Sequence, residues 1–174
     1  HGYEGATIRK IADEVGLSST ALYMHFSDKG AILQEICRQA FEALLTANNR
    51  AVEQSGPAEE RLRRMMRAYV EFGFDNPNAY RLVYMTRPAE LHEGPQSAAR
   101  ELGTALFRSF EQVVEELETA GRLRVDARTA AQALWAGGHG VVSLMISKPY
   151  FDWVDREALT TAMMEGLFAG FLQP

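Results

Sequence analysis

Between Thr7 and Lys29 the chain gathers the hydroxyls of Thr7, Ser18, Ser19 and Thr20, the phenol of Tyr23, the imidazole of His25 and the ammonium of Lys29. Groups of these types meet phosphate oxygens on a nucleic-acid duplex, while the first residues of a short helix reach base edges in its major groove. Ala21 adds a methyl suited to a thymine methyl, and Thr20 can donate or accept and so discriminates less. Met24 stands among them without hydrogen-bonding capacity. A second set, Met65, Met66, Tyr69, Phe72, Phe74, Tyr80, Tyr84, Phe107, Phe110 and Trp135, supplies apolar walls of varied shape, with His139 nearby in sequence. Such walls suit a small apolar or aromatic ligand, and methionines let them adapt.

The elements that would present these groups follow from caps and periodicity. Thr7 is an N-cap ahead of a helix whose Ile8, Ile11, Ala12 and Val15 share a face, and Gly16 stops it where a positive φ is cheap. Ser18 caps a second short helix. There Leu22 and Phe26, four apart, pack back on Ile8, Ile11 and Ile32. Ser19, Thr20, Ala21, Tyr23, Met24 and His25 take the remaining faces.

Beyond this pair the signals are all helical. Lys29 to about Gln54 keeps Ile32, Leu33, Ile36, Ala40, Phe41, Leu44, Leu45 and Val52 in phase until Ser55-Gly56-Pro57 breaks it. Cys37 lies on that stripe as a small core residue. Further helices are predicted over 57–74, 79–87, 97–120, 126–147 and 155–172, with a loop at Pro88–Gln96. The fold class is therefore all-α. Residues 1–45 form an expected helix-turn-helix DNA-binding domain and 46–174 a helical ligand-binding and dimerisation domain. Three glycines, Gly137, Gly138 and Gly140, sit inside an apolar helix, which costs about 1 kcal/mol each relative to Ala unless close packing compensates. Ala162, Gly166 and Gly170 repeat at four-residue spacing in the last helix. The two helices together are expected to pair with their two-fold mates through Gly137, Val141, Leu144, Ala162, Met163, Gly166, Leu167 and Gly170.

The string Thr7-Ile8-x-x-Ile11-Ala12-x-x-Val15-Gly16-Leu17-Ser18, followed by Leu22-Tyr23-x-His25-Phe26-x-x-Lys29, resembles the DNA-binding signature of the tetracycline-repressor (TetR) family. Carried over, the resemblance puts Thr7 on a phosphate, Ser18 at the head of the reading helix, and Ser19, Thr20 and Ala21 near bases or adjacent phosphates. Tyr23, His25 and Lys29 would grip the backbone. The segment His1-Gly2-Tyr3-x-Gly5-Ala6-Thr7 resembles the end of the family's first helix, so most of that helix is expected to precede His1. Trp135-x-x-x-His139-Gly140 resembles the group of C-terminal domains named for Trp, His and Gly. The family implies a homodimer on a double-stranded palindromic operator, with an effector pocket among the helices at 57–74, 79–87, 97–119 and 126–147. The expected ligand contacts are Met65, Met66, Tyr69, Phe72, Tyr84, Phe107, Phe110, Trp135 and His139.

Composition is compatible with this reading. The 174 residues are 47% hydrophobic and 24% charged, with net charge −5, enough apolar content for a sizeable core. In the first fifty residues Arg9, Lys10, Lys29, Arg38 and Arg50 are offset by acidic neighbours, so duplex affinity would depend on helix N-termini and hydroxyls. One cysteine allows no internal disulfide, four scattered histidines suggest no metal site, and no cofactor is expected. The absence of an apolar run long enough to span a bilayer makes a cytoplasmic protein without membrane partners the default. A rival enzyme reading pairs Ser143 with His139 four residues away, but no strand-turn-helix elbow, oxyanion loop or orienting carboxylate accompanies them, and a non-enzyme is expected. A helical dimer acting as an interaction or small-molecule-binding module without DNA is the other alternative.

Overall fold

The computed structural model of the protein describes residues 5–53, 55–85 and 98–173. The expected Pro88–Gln96 loop, residues 86–87, Ser97, the His1–Tyr3 segment and the Val52 side chain lie outside the described residues. Eight helices make up the described chain: α1 Ile8–Val15, α2 Ser19–Tyr23, α3 Lys29–Glu53, α4 Ala58–Asp75, α5 Pro77–Met85, α6 Ala98–Thr119, α7 Ala127–Ser147 and α8 Arg156–Phe171. One isolated antiparallel bridge, Leu123 to Leu172, is the extended pairing recorded among the described residues. It ties the chain after α8 to the α6–α7 turn, with Gln173 N donating to Arg122 O at 2.8 Å.

The caps act as their residue types dictate. Thr7 Oγ1 accepts from Lys10 N at 3.2 Å and Ser18 Oγ from Ala21 N at 3.1 Å. Gly16, at φ 71°, ends α1 in the left-handed region. Ile8, Ala12 and Leu22 are buried between the two helices, with Ile11, Phe26 and Ile32 packed against them. Val15 does not join this face. It is 57% exposed and Leu17 is exposed as well, outside the small core around Ala12.

Asp28, whose Oδ1 accepts from Ala31 N at 2.9 Å, starts α3. This helix runs unbroken past the expected boundary at 45/46, so the two-helix unit before it and the bundle after it share one continuous element. Its buried face is Leu33, Cys37, Ala40, Leu44, Asn48 and Ala51, while Ile36 is exposed. Burial pushes the Cys37 thiol up to about 11, the behaviour of a core thiol rather than a nucleophile. Asn48 Nδ2 donates to Ser109 Oγ at 2.7 Å, satisfying a buried amide and joining α3 to α6.

The main core lies among α4, α6, α7 and α8, where Leu62, Met65, Met66, Phe110, Val113, Val114, Leu134, Met164 and Phe168 interlock. The break at Asp75-Asn76-Pro77 is briefer than the sequence suggests: Pro77 opens α5, two residues before the predicted start, since proline at the first helical position sacrifices no hydrogen bond. No helix of the described residues is long and apolar enough to cross a membrane.

Candidate nucleic-acid interface and aromatic site

The exposed side of the first two helices carries the residues singled out in the sequence. Thr7, Ser18, Thr20, Tyr23, Met24 and His25 are exposed, with Met24 at 81%, and Ser19, Ala21 and Lys29 are half-buried. Thr7 and Ser18 use an oxygen lone pair for capping, which leaves each hydroxyl hydrogen to donate outward. These donors and Tyr23 therefore share one two-helix unit packed on Ile8, Ala12 and Leu22. Arg38 is not part of that surface: its guanidinium meets Glu35 and Glu42 at 2.5 Å each. Those bonds hold the Glu35 carboxyl down at about 2.

The aromatic residues divide into two groups. Met65, Met66 and Phe110, expected on ligand, are buried in the main core, and Phe72 packs with Phe74 against Val70, Tyr80 and Val142. Tyr69, Tyr84, Phe107, Trp135 and His139 do come together, around two residues of different standing. Tyr80, which the sequence placed among the walls, is fully buried in the middle. Phe41, which the sequence assigned only to the α3 stripe, lies with its ring 5.9 Å from that of Tyr84. Gly103 makes room for it, since a Cβ there would stand 3.0 Å from the Phe41 ring. A glycine on the facing helix was the one signal that could have pointed to this contact.

Tyr84 is the hub, with ring centroids at 5.7 Å from Tyr69, 4.8 Å from Tyr80, 6.4 Å from Trp135 and 6.0 Å from His139. Phe107 extends the cluster, 5.6 Å from Trp135. Edge and tilted ring contacts of this kind are favourable. Around the hub runs a hydrogen-bonded chain: Trp135 Nε1 to Tyr69 Oη at 3.2 Å, Tyr69 Oη to Tyr80 Oη at 2.8 Å, and Tyr80 Oη to His139 Nδ1 at 2.7 Å. The indole only donates, so Tyr69 accepts from it. Run in one direction, Tyr69 then donates to Tyr80 and Tyr80 to His139 Nδ1, which leaves the imidazole proton on Nε2.

Burial raises all three phenols and lowers His139. Burial thus favours the neutral imidazole, the form that can accept from Tyr80 in this direction of the chain. Because the unfolded chain takes up this proton first, the stability contributed by neutral His139 is complete above its ordinary value of 6.5 and declines as pH falls below it. Melting at pH 7.5 and pH 5.5 is expected to show a smaller acid loss for His139→Gln, which keeps an acceptor for Tyr80, than for the parent. Identical losses would contradict a buried neutral imidazole. Ser143 Oγ donates to Gly140 O at 3.4 Å and His139 is committed to Tyr80, so the Ser143–His139 pairing is not formed.

Of the expected dimer residues, Leu144, Ala162, Gly166 and Gly170 are exposed. A Cβ at Gly166, Gly170 or Gly140 would meet nothing within 4 Å. Gly137 behaves differently, because a Cβ there would come 2.6 Å from Leu167 Cδ1 and 3.0 Å from Met163 Sδ. Gly137, Met163 and Leu167 therefore belong to the seam between α7 and α8 of one chain, and Val141 is buried. Charged side chains of the two helices turn to the flanks: Glu157 meets Arg67 at 2.5 Å, Glu165 pairs with Arg63, and Arg128 meets Glu111 at 2.9 Å. An outer strip of small and apolar residues is left between them.

Residues 1–36 match the family profile "Bacterial regulatory proteins, tetR family", and residues 62–167 match "Tetracyclin repressor-like, C-terminal domain". The description of the second profile names no subgroup of such domains. Among curated proteins the chain is 35% identical over 83 residues to the nucleoid occlusion factor SlmA of Vibrio campbellii, covering 46% of this chain and 42% of SlmA. It is 30% identical over 91 residues to the transcriptional activator FasR of Mycolicibacterium smegmatis, covering 50% and 42%. These alignments span less than half the length of the relatives. A solved structure from Rhodococcus sp. RHA1 superposes with TM-score 0.80 at 28% identity, over 99% of this chain and 88% of that one. With both of its parts matched in order along a shared all-helical architecture, the chain belongs to the TetR family of bacterial regulatory proteins.

Proposed function

We propose that this protein is a DNA-binding transcriptional regulator, a cytoplasmic homodimeric repressor released from a palindromic operator by a small apolar or aromatic effector, and not an enzyme. The observation that carries the reading is the two-helix unit whose apolar side is closed by Ile8, Ala12 and Leu22 while its hydroxyls and phenol face outward. One helix of five residues reads few bases. Two such helices related by a two-fold axis read half-sites roughly 34–36 Å apart. The strip along α7 and α8 suits that pairing, centred on Gly140, Leu144, Ala162, Gly166 and Gly170.

Release would follow from spacing. The helix α3 carries the reader at one end and touches the aromatic site through Phe41, so a ligand that shifts Tyr84 also shifts α3. An effector that favours the wrongly spaced state depopulates the bound one. SlmA and FasR are named for nucleoid occlusion and for transcriptional activation, and the roles proposed here for this chain rest on its own geometry.

In this scheme Thr7, Tyr23, His25 and Lys29 hold phosphates, and Ser18, Ser19, Thr20, Ala21 and Met24 lie along the reading helix. Tyr23→Phe and Lys29→Ala are expected to weaken every duplex to a similar degree. Replacing Thr20 or Ala21 is expected to alter sequence preference by about 1–3 kcal/mol at one position. Competition binding against a randomised half-site library reads both effects, and equal effects of all four variants on every sequence would refute the role assignment.

A further inference from the structure

We infer that Met24 is a modification site: a two-electron oxidant of the peroxide or hypohalous-acid class converts its thioether to the sulfoxide, and this weakens the hold of the reading helix on DNA. The inference rests on the regulator reading above and adds a control to its reading face. Met24 is 81% exposed, the highest value among the large apolar side chains of the described residues. The other six methionines are sheltered to different degrees. Met65, Met66 and Met164 are fully buried, Met145 and Met163 are half-buried, and Met85 is 41% exposed. The single cysteine, the usual target of such oxidants, is closed to them, since Cys37 is 2% exposed in the core face of α3. An oxidant that reaches this chain therefore meets the Met24 sulfur first.

The place of that sulfur is set by α2. Met24 follows Thr20 by four residues and its backbone N donates to Thr20 O at 3.1 Å, so the two side chains stand one turn apart on the same face. Leu22, two residues earlier, points the other way, into the small core with Ile8 and Ala12. The thioether thus lies beside Thr20 on the side turned from the core, flanked in sequence by exposed Tyr23 and His25. An unbranched thioether there offers its methyl to a thymine methyl or a sugar. In the oxidation the sulfur lone pair attacks the electrophilic oxygen and an S–O bond forms as the O–O or O–Cl bond breaks. Sulfur gives up two electrons, and water, or chloride with a proton, leaves. The product carries a polar oxygen that can only accept. Pressed against a methyl it loses hydration without gaining a partner, and beside phosphate oxygens it sets one acceptor against another.

The test uses the full-length protein and a duplex that it selects from a randomised pool. Treatment with equimolar hypochlorous acid, followed by peptide mass spectrometry, is expected to show Met24 sulfoxide as the first product, ahead of Met85 and with Cys37 unmodified. Duplex affinity is expected to fall about tenfold, the weight of one good base contact, and to return once both methionine sulfoxide reductases, one for each epimer, have acted. Met24→Leu, whatever its own starting affinity, is expected to keep that affinity through the same treatment. The bound duplex is expected to slow oxidation of Met24 and to leave that of Met85 unchanged. Another residue oxidised first, an affinity unmoved by Met24 sulfoxide, the same oxidative loss in Met24→Leu, or no protection by the duplex would overturn the inference. A protein that selects no duplex before oxidation contradicts the regulator reading beneath it as well, whereas selection followed by any of those results contradicts this inference alone.

Discussion

Gly166→Arg is expected to convert the protein to a monomer in sedimentation analysis and to lower its affinity for a two-half-site duplex on the order of 100-fold, while leaving single half-site binding unchanged. The position is exposed, and nothing in its own chain lies within 4 Å of a Cβ built there, so an arginine costs the isolated subunit little. In the proposed two-fold pairing the same residue would meet its mate in a strip flanked by paired charges. Glu157, Glu165 and Arg128 all pair toward the flanks. A desolvated guanidinium without a carboxylate is strongly unfavourable in such an interface. Loss of the second half-site removes the gain in effective concentration that joins two weak contacts. A Gly166→Arg protein that stays dimeric would place the interface elsewhere.

The largest stability loss is expected at Gly73, where α4 crosses α7. A Cβ at this position would stand 2.5 Å from Val142 Cγ1 and 3.0 Å from the Tyr80 ring. Both neighbours are fully buried, and neither can swing aside as a long flexible side chain would. Gly73→Val is therefore expected to cost about 3 kcal/mol by overpacking. For a chain of this size the melting temperature falls by roughly 6–12 °C. In the monomeric Gly166→Arg background, Gly140→Ala is the contrasting case, since it gains helix propensity of about 1 kcal/mol without a clash. Thermal denaturation of the two variants checks the contrast. Equal melting temperatures would mean that the close approach at Gly73 does not exist in solution.

The contrast among glycines shows what the sequence could express and what it could not. A glycine inside an apolar helix marks a close approach, and Gly137, Gly138 and Gly140 do occur on one helix; the neighbour that approaches is a property of the assembled bundle. Gly137 turns out to accommodate Leu167 and Met163 of its own chain, Gly138 accommodates Met66 and Tyr69, and Gly140 faces outward. Gly73 and Gly103, isolated in their segments, carried no comparable pattern. Caps at Thr7 and Ser18 were legible because they depend on residues three apart, and both accept from the backbone in this way; Asp126 and Asp155, read only as helix starts, do the same. The reader was legible for the same reason, as its fold is set by contacts within about twenty-five residues.

The aromatic site was less so. Periodicity told that Met65, Met66 and Phe110 point inward, but not that they end buried in the main core, with Phe107 between that core and Trp135. Phe41 was read as part of an α3 stripe because its partner lies far along the chain on α5. Val15 illustrates the opposite limit: it holds the right helical phase for burial, yet it is exposed among the described residues. Ile36 fails for a related reason, since Cys37 and Asn48 occupy the inward face of α3 instead.

The central claim is that the outward hydroxyl and phenol face of α1 and α2 reads duplex DNA. Fluorescence anisotropy of the full-length protein tests it most directly, titrated against the DNA immediately upstream of its own coding region and against a scrambled duplex, at two salt concentrations. The account predicts tight binding to the upstream duplex that weakens as salt rises, with the scrambled duplex bound far more weakly. Equal, salt-insensitive binding to both duplexes, or none to either, would contradict it.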